Sequence, residues 1–299
     1  MNGATPAISL LTSPEWNQYD LLDSGNGLRL ERIGPYTLVR PEAQAVWTPR
    51  LPSTKWEQAD AVFQPTGEES GGYWKYRRSI DAAWKMRYKS LAFWARTAAS
   101  RHVGFFPEQA AHWDWIEERI ATAKRTVNVL NLFGYTGIAS LAAAQAGAKV
   151  THVDASKKTV AQARENQILA GLEDKPIRWI VDDALKFVKR EARRGVVYDG
   201  IILDPPKFGR GPKGEVWEFF DAFPSLLTEC RPLFGEQPLF LVITAYAIRA
   251  SALSLYYATQ DMMRGYGGHL DAGELVLREQ SGGRLLSMAL YTRWQEASH

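Results

Sequence analysis

The chain holds a single cysteine, Cys230, in 299 residues. One thiol excludes an intrachain disulfide and a multi-cysteine metal site, so no metal is expected. A reducing, cytoplasmic setting fits the same count. No apolar run reaches the ~18 uninterrupted residues that a membrane-spanning helix needs. The short run Ala7-Ile8-Ser9-Leu10-Leu11 follows no basic residue and is too brief for a secretory leader. No charge sign dominates either: the net charge is +3, which neither demands nor excludes a polyanionic partner. Internal repeats and low-complexity tracts are lacking. With 45% hydrophobic and 23% charged residues, the composition is that of a globular chain with one main domain and a smaller attachment.

Residues 1–80 are broken up by proline and glycine, among them Pro35, Pro41, Pro49, Pro52 and Pro65. Between the breaks lie short β-like runs. Leu28–Ile33 and Tyr36–Val39 flank Gly34-Pro35 and predict a hairpin in a small β-rich N-terminal domain. From Asp81 the apolar spacing mixes intervals of three and four, which predicts a helix over Asp81–Ala99 and a second over Glu108–Ala123. The segment 81–125 is thus expected to be a helical extension of a larger domain, 81–299. Strands then alternate with helices. Strands are expected at Val127–Leu132, Lys149–Val153, Ile177–Val181, Tyr198–Leu203 and Leu239–Thr244. The intervening helices are expected at Ile138–Ala146, Ser156–Ala170, Ala184–Arg193 and Trp217–Cys230, with one more at Ala250–Arg264. This rhythm predicts an α/β, Rossmann-like fold with a mostly parallel sheet. Glu274–Glu279 and Leu285–Trp294 flank Gly282-Gly283, so the last strand should run antiparallel.

Four features fall at the carboxyl ends of these strands, where open α/β sheets bind ligands. The first is Asn131-Leu132-Phe133-Gly134-Tyr135-Thr136-Gly137, a strand entering a glycine turn and then a helix. Glycine lets a backbone come close to a ligand because it has no Cβ. The second is Asp154, placed to accept from ribose hydroxyls; Asp154 or Ser156 would alternatively cap the next helix. The third is Val181-Asp182-Asp183-Ala184, where a carboxylate, preferably Asp183, meets an adenine amine or caps a helix. The fourth is Asp204-Pro205-Pro206-Lys207-Phe208, in which two prolines end a strand and stiffen a loop beside a carboxylate and a ring. Such a pair can orient a planar, amine-bearing substrate by hydrogen bonding and stacking. A nicotinamide dinucleotide site would want Gly-x-Gly-x-x-Gly, but Phe133 and Tyr135 stand in the way, which disfavours an oxidoreductase.

Taken in order, Asn-Leu-Phe-Gly-Tyr-Thr-Gly, Val-Asp-Ala-Ser, Asp-Asp-Ala and Asp-Pro-Pro-Lys-Phe resemble the class I methyltransferases. More narrowly, they are similar to the family that includes large-subunit ribosomal RNA methyltransferases. Gly104-Phe105-Phe106-Pro107-Glu108-Gln109 resembles a segment that flanks the cofactor in that family. The resemblance covers about residues 100–245. It implies an S-adenosylmethionine-dependent methyltransferase with Phe106 and Gln109 beside the cofactor. It further implies Asn131, Phe133, Gly134, Thr136 and Gly137 on the methionine side, Asp154 and Ser156 at the ribose, and Asp183 and Ala184 at the adenine. Asp204, Pro205, Pro206, Lys207 and Phe208 would face the acceptor. Relatives that methylate C5 of cytosine carry a nucleophilic cysteine after the fifth strand. Here that stretch reads Thr244-Ala245-Tyr246-Ala247, which favours a nitrogen or oxygen acceptor and no covalent cysteine intermediate.

Residues 73–102 interleave Lys75, Arg77, Arg78, Lys85, Arg87, Lys89, Arg96 and Arg101 with Tyr73, Trp74, Tyr76, Trp84, Tyr88, Phe93 and Trp94. Cations follow phosphates and rings stack on bases, so this segment is the candidate RNA surface, with ribosomal RNA implied by the resemblance. The alternative is a helix whose basic side is merely solvated while its rings pack inward. A small-molecule or protein acceptor is the competing function.

Overall fold

A computed structural model describes residues 5–67 and 71–297. Residues 1–4 and 68–70 of the expected N-terminal domain, and 298–299 of the larger one, lie outside the described residues. The chain forms two compact units. One comprises Met1–Leu11, His112–Leu275 and Ala289–His299; the other comprises Thr12–Ala111 and Val276–Met288.

In chain order the first elements are β1 (Ile8–Thr12), β2 (Tyr19–Gly25), β3 (Leu28–Ile33), β4 (Tyr36–Pro41), α1 (Ser53–Glu57), β5 (Ala61–Pro65), β6 (Gly72–Tyr76), β7 (Ala83–Tyr88) and β8 (Leu91–Arg96). Strands β2 to β6 make a five-stranded sheet in sequence order, and β7 pairs with β8 as a separate hairpin. The expected hairpin across Gly34-Pro35 is β3–β4, with Ile33 opposite Tyr36. The helix expected over Asp81–Ala99 is overturned: this stretch is the β7–β8 hairpin, with Tyr88 opposite Leu91. The reason is a period of two. Trp84, Met86 and Tyr88 are buried while Lys85 and Arg87 between them are exposed, as one half-buried strand requires. The expected extension 81–125 is helical only from Pro107 on.

This unit also buries charge. Glu31 is fully buried, and Arg40 donates to it from Nε at 2.6 Å and from Nη2 at 2.7 Å. Arg29 Nε lies 3.3 Å from the same carboxylate, and the Tyr19 hydroxyl donates to it at 2.8 Å. Burial raises the Glu31 carboxyl, but Arg29, Arg40 and the hydrogen bonds outweigh burial and hold it below the ordinary value. The depressed value means that this stabilisation is complete above the carboxyl's unfolded pKa and is lost as pH falls through its lower folded value. Glu31→Gln leaves the buried Arg40 guanidinium without its counter-ion and Arg29 with only Glu42, 3.7 Å from Nη1, and should cost about 3–5 kcal/mol in urea unfolding at neutral pH. A change under about 0.5 kcal/mol, the size of an ordinary surface substitution, would show that the network is dispensable.

The elements that follow, most of them in the other unit, are α2 (Ala110–Thr122), β9 (Asn128–Leu132), α3 (Ile138–Gln145), β10 (Lys149–Asp154), α4 (Lys157–Leu169), β11 (Ile177–Val181), α5 (Ala184–Arg193) and β12 (Gly200–Leu203). They are followed by β13 (Phe208–Arg210), β14 (Val216–Glu218), α6 (Phe219–Cys230), β15 (Phe240–Ala245), α7 (Ala252–Met262), β16 (Gly268–Arg278) and β17 (Leu285–Glu296). The main sheet has the order β11-β10-β9-β12-β15-β17-β16-β1. Pairing is parallel from β11 through β15, and β17 lies antiparallel to β15, so the expected α/β architecture and antiparallel last strand are both present. Leu130, Ile201, Leu203, Leu241 and Ile243 bury on one face with α5 and α6. Val129, Ile202 and Val242 bury on the other with α2 and α3. Both faces are covered, which is why these strands read as continuous apolar runs. The helix expected from Trp217 starts at Phe219, because Val216–Glu218 pairs as a strand with Phe208–Arg210. No helix among the described residues is long and apolar enough to cross a membrane.

Candidate active site

Strand β9 has β10 on one side and β12 on the other, so the order of connection reverses between β9 and β12. A crevice opens at such a switch point, outside the carboxyl ends of the strands. Residues 133–137, 154–156, 182–184 and 204–208 all follow the carboxyl ends of parallel strands at this edge.

The turn after β9 is tightly wound. Phe133, Tyr135 and Gly137 have φ of 57°, 50° and 83°. Left-handed backbone is costly for a bulky residue and persists where surrounding structure enforces it, often at a functional site. The turn is enforced from beneath. Gly134 N–H donates to Val153 O at 3.1 Å, and Tyr135 N–H donates to Asp154 Oδ2 at 2.9 Å. A Cβ on Gly134 would come within 2.3 Å of His152 Cε1, and one on Gly137 within 2.8 Å of Ala163 Cβ. Glycine is therefore required at both positions by close packing under the turn. Asn131 is buried, and its amide donates to Ser140 Oγ at 2.9 Å, which in turn lies 3.0 Å from His152 Nδ1. Burial pushes the His152 imidazole down to about 3, against a backbone hydrogen bond with Tyr135, so the ring is neutral near pH 7. Thr136 is buried as well, and its carbonyl accepts from Asn166 Nδ2 at 2.9 Å.

The Asp154 carboxylate is already well held. Oδ1 accepts from Ser156 N–H and from the Thr159 hydroxyl, both at 2.8 Å, while Oδ2 takes Tyr135 N–H. An ionised carboxylate has about four acceptor directions, so about one remains for a ligand hydroxyl. Ser156 is the N-cap of α4, its hydroxyl accepting from Thr159 N–H at 3.2 Å. Asp183 is the N-cap of α5, with Oδ1 accepting from Lys186 N–H at 2.9 Å. Asp182 instead pairs with Arg190 Nη2 at 2.7 Å. Ala184 is buried in the core.

Asp204 follows β12, and its N–H reaches Leu132 O at 3.4 Å. Pro205 is buried and Pro206 half-buried, while Lys207 and Phe208 are exposed. A residue that sequence reasoning passed over joins this loop to the glycine turn. Trp217 is buried, donates from its indole N–H to Pro206 O at 2.6 Å, and packs its ring 4.9 Å from that of Phe133. The turn-rich run Gly209-Arg210-Gly211-Pro212-Lys213-Gly214 was the signal that a hairpin, and not a helix, carries it.

Phe106 and Gln109 belong to the other unit. Phe106 precedes a short 3-10 turn, Pro107–Gln109, and its ring lies 5.2 Å from His102. Glu108 in the same turn is buried.

A family model for S-adenosylmethionine-dependent methyltransferases matches residues 65–221. The chain belongs to that family. A solved S-adenosylmethionine-dependent methyltransferase from Agrobacterium tumefaciens is 50% identical, with a TM-score of 0.93 over 98% of this chain and 96% of that one. Two curated relatives match more locally. Ribosomal RNA large subunit methyltransferase I of Shewanella denitrificans is 40% identical over 27% of this chain and 21% of its own length. Ribosomal RNA large subunit methyltransferase K/L of Shewanella sp. (strain ANA-3) is 43% identical over 29% of this chain and 12% of its own length. The match thus spans a quarter or less of these curated relatives.

Membership makes S-adenosylmethionine the methyl donor, and the chain's residues fit it. The turn 133–137 lies at the switch point, and Asp154 and Asp183 each keep acceptor capacity at the same edge. Cys230 is fully buried at the end of α6, and burial, aided by Glu229, pushes its thiol far above the ordinary range. A thiol held protonated and out of solvent is structural in character. Cys230→Ala should keep methyl transfer within about twofold while losing about 1 kcal/mol of stability. A loss of turnover in that variant, measured at saturating donor, would contradict this.

Proposed function

We propose that this methyltransferase acts on RNA, ribosomal RNA foremost, at a nitrogen or oxygen of a nucleotide and without a covalent cysteine intermediate. One observation carries the reading: a proline-stiffened carboxylate, Asp204, ends a central strand at the switch point, with the exposed ring of Phe208 four residues on. When bound, S-adenosylmethionine supplies a sulfonium-activated methyl group. The chain's part is mainly alignment, which is worth effective molarities of about 10⁵–10⁸ M in well-oriented systems. Asp204 accepts the acceptor's N–H or O–H and takes its proton, Pro205 and Pro206 hold the carboxylate in place, and Phe208 stacks on the base. Lys207 adds positive charge on the acceptor side. Asn131, Phe133, Gly134, Thr136 and Gly137 shape the donor's methionine side, Asp154 and Ser156 serve the ribose, and Asp183 and Ala184 the adenine. Phe106 and Gln109 are part of the same proposal.

The ribosomal RNA methyltransferases among the relatives support RNA as the acceptor class. So do the exposed cations of residues 73–102, Lys75, Arg77, Arg78, Lys85, Arg87 and Lys89, with Tyr73 and Tyr76 also exposed. Trp74, Trp84, Tyr88 and Phe93 are buried, so only part of the aromatic set is available to bases. In this reading the unit holding His112–Leu275 performs transfer and the unit holding Thr12–Ala111 helps to hold the RNA. Mass spectrometry of ribosomal RNA nucleosides from a deletion strain of the source organism tests it. One methylated nucleoside should disappear and return on complementation; an unchanged nucleoside profile would sink the ribosomal assignment.

A further inference from the structure

The hairpin that carries Trp217 has a second side that transfer itself does not use. Strands β13 and β14 form a two-stranded arm that continues from the acceptor loop, with Arg210 opposite Val216. Its root is locked: Trp217 holds Pro206 O, and Phe219 N–H donates to Lys207 O at 3.0 Å. Its acids already have partners within the chain. Glu215 pairs with Lys186 at 2.5 Å and also accepts Lys213 N–H, and its carboxyl lies well below the ordinary range because of that lysine. Glu218 caps α6 through Asp221 N–H. Arg210 and Lys213 are exposed, and the Arg210 guanidinium lies 6.0 Å over the Phe208 ring. Exposed apolar surface sits among them, with Phe208 at 48%, Val216 at 63% and Phe220 at 50% of full exposure.

A surface of exposed rings and exposed cations, continuous with an acceptor loop, matches an unpaired strand with its phosphates and open base faces. A duplex hides those faces within its stack. We propose that the β13–β14 arm grips single-stranded RNA flanking the target nucleotide, with Arg210 and Lys213 on phosphates and Val216 against a base. The proposal rests on RNA being the acceptor. Because Trp217 ties the arm to Phe133, a strand held on the arm is registered against the donor turn.

The test uses the full chain, wild type and the triple variant Arg210→Ala, Lys213→Ala, Val216→Ser, whose side chains are all exposed. Binding is measured to a mixed-sequence 12-nucleotide single-stranded RNA across a salt series, with its duplex as control and S-adenosylmethionine affinity as the check on folding. The variant should bind the single strand about tenfold more weakly. Losing two phosphate contacts at about 0.7 each should flatten its log–log salt slope by about 1.4. Affinity for the donor should be unchanged. If wild type and variant bind the single strand alike, the arm is overturned while RNA stands as the acceptor. If the variant loses duplex and single strand equally, recognition of an unpaired strand is overturned. If the wild type binds neither RNA, the acceptor reading fails and the arm with it.

Discussion

Asp204→Asn should lower methyl transfer to RNA by about 10²–10⁴-fold, the range set by removing a positioned proton acceptor. Affinity for S-adenosylmethionine should stay within twofold of wild type. The substitution is nearly isosteric and leaves Pro205, Pro206 and the Trp217 hydrogen bond to the loop in place. An amide oxygen still accepts a hydrogen bond but cannot take up a proton at neutral pH, so the deficit belongs in turnover and not in donor binding. Single-turnover transfer of labelled methyl at saturating donor reads the first quantity, and calorimetry the second. Wild-type turnover in the variant would remove Asp204 from the chemistry. Loss of donor affinity with normal turnover would move it to the cofactor.

Gly134→Ala should have the largest effect on donor binding, about 100-fold or more. The added methyl would lie 2.3 Å from His152 Cε1 and 2.5 Å from Nδ1. His152 cannot simply swing aside. It is fully buried, its Nδ1 is bonded to Ser140, and its ring packs 4.7 Å from Trp179. The turn itself must therefore move, and a displacement of about 1 Å is enough to cost about 100-fold in a positioned site. Overpacking adds a stability loss of about 1–3 kcal/mol. The double variant Gly134→Ala, His152→Ala separates crowding from a lost ligand contact. If crowding is the cause, the double variant binds the donor better than Gly134→Ala alone. If it binds no better, the glycine acts through something other than the ring beneath it.

Much of the transfer unit was legible because its local signals agree with one another. The apolar runs of β9, β12 and β15 are buried on both faces, and the punctuating glycines and the Asp183 and Ser156 caps fall where the periodicity changes. The β7–β8 hairpin was not legible as such. Its apolar residues also fit three- and four-residue intervals, and its turn is Lys89-Ser90, with Lys89 at φ 50° and no glycine to announce it. The buried set of Arg29, Glu31 and Arg40 was missed for a different reason: charges in a sequence read as surface unless a partner is visible, and pairing across strands is not. At the candidate site, the sequence marks strand-end residues by position alone. What their side chains already hold was beyond reach. Asn131, expected beside the methionine, also donates to Ser140, and Asp154, expected at the ribose or as a helix cap, already carries three donors. Trp217 carried no motif, and only the hairpin puts it between the two loops.

The central claim is that this donor site delivers its methyl group to RNA. Its most direct test is transfer from S-adenosylmethionine labelled in the methyl group, offered together to protein-free RNA, protein and small-molecule fractions of a deletion strain. The label should enter RNA, be released by nuclease as a nucleoside methylated on nitrogen or oxygen, and fall to background with Asp204→Asn. Label confined to protein or to a small metabolite, with RNA left unmarked by the active enzyme, would contradict the account.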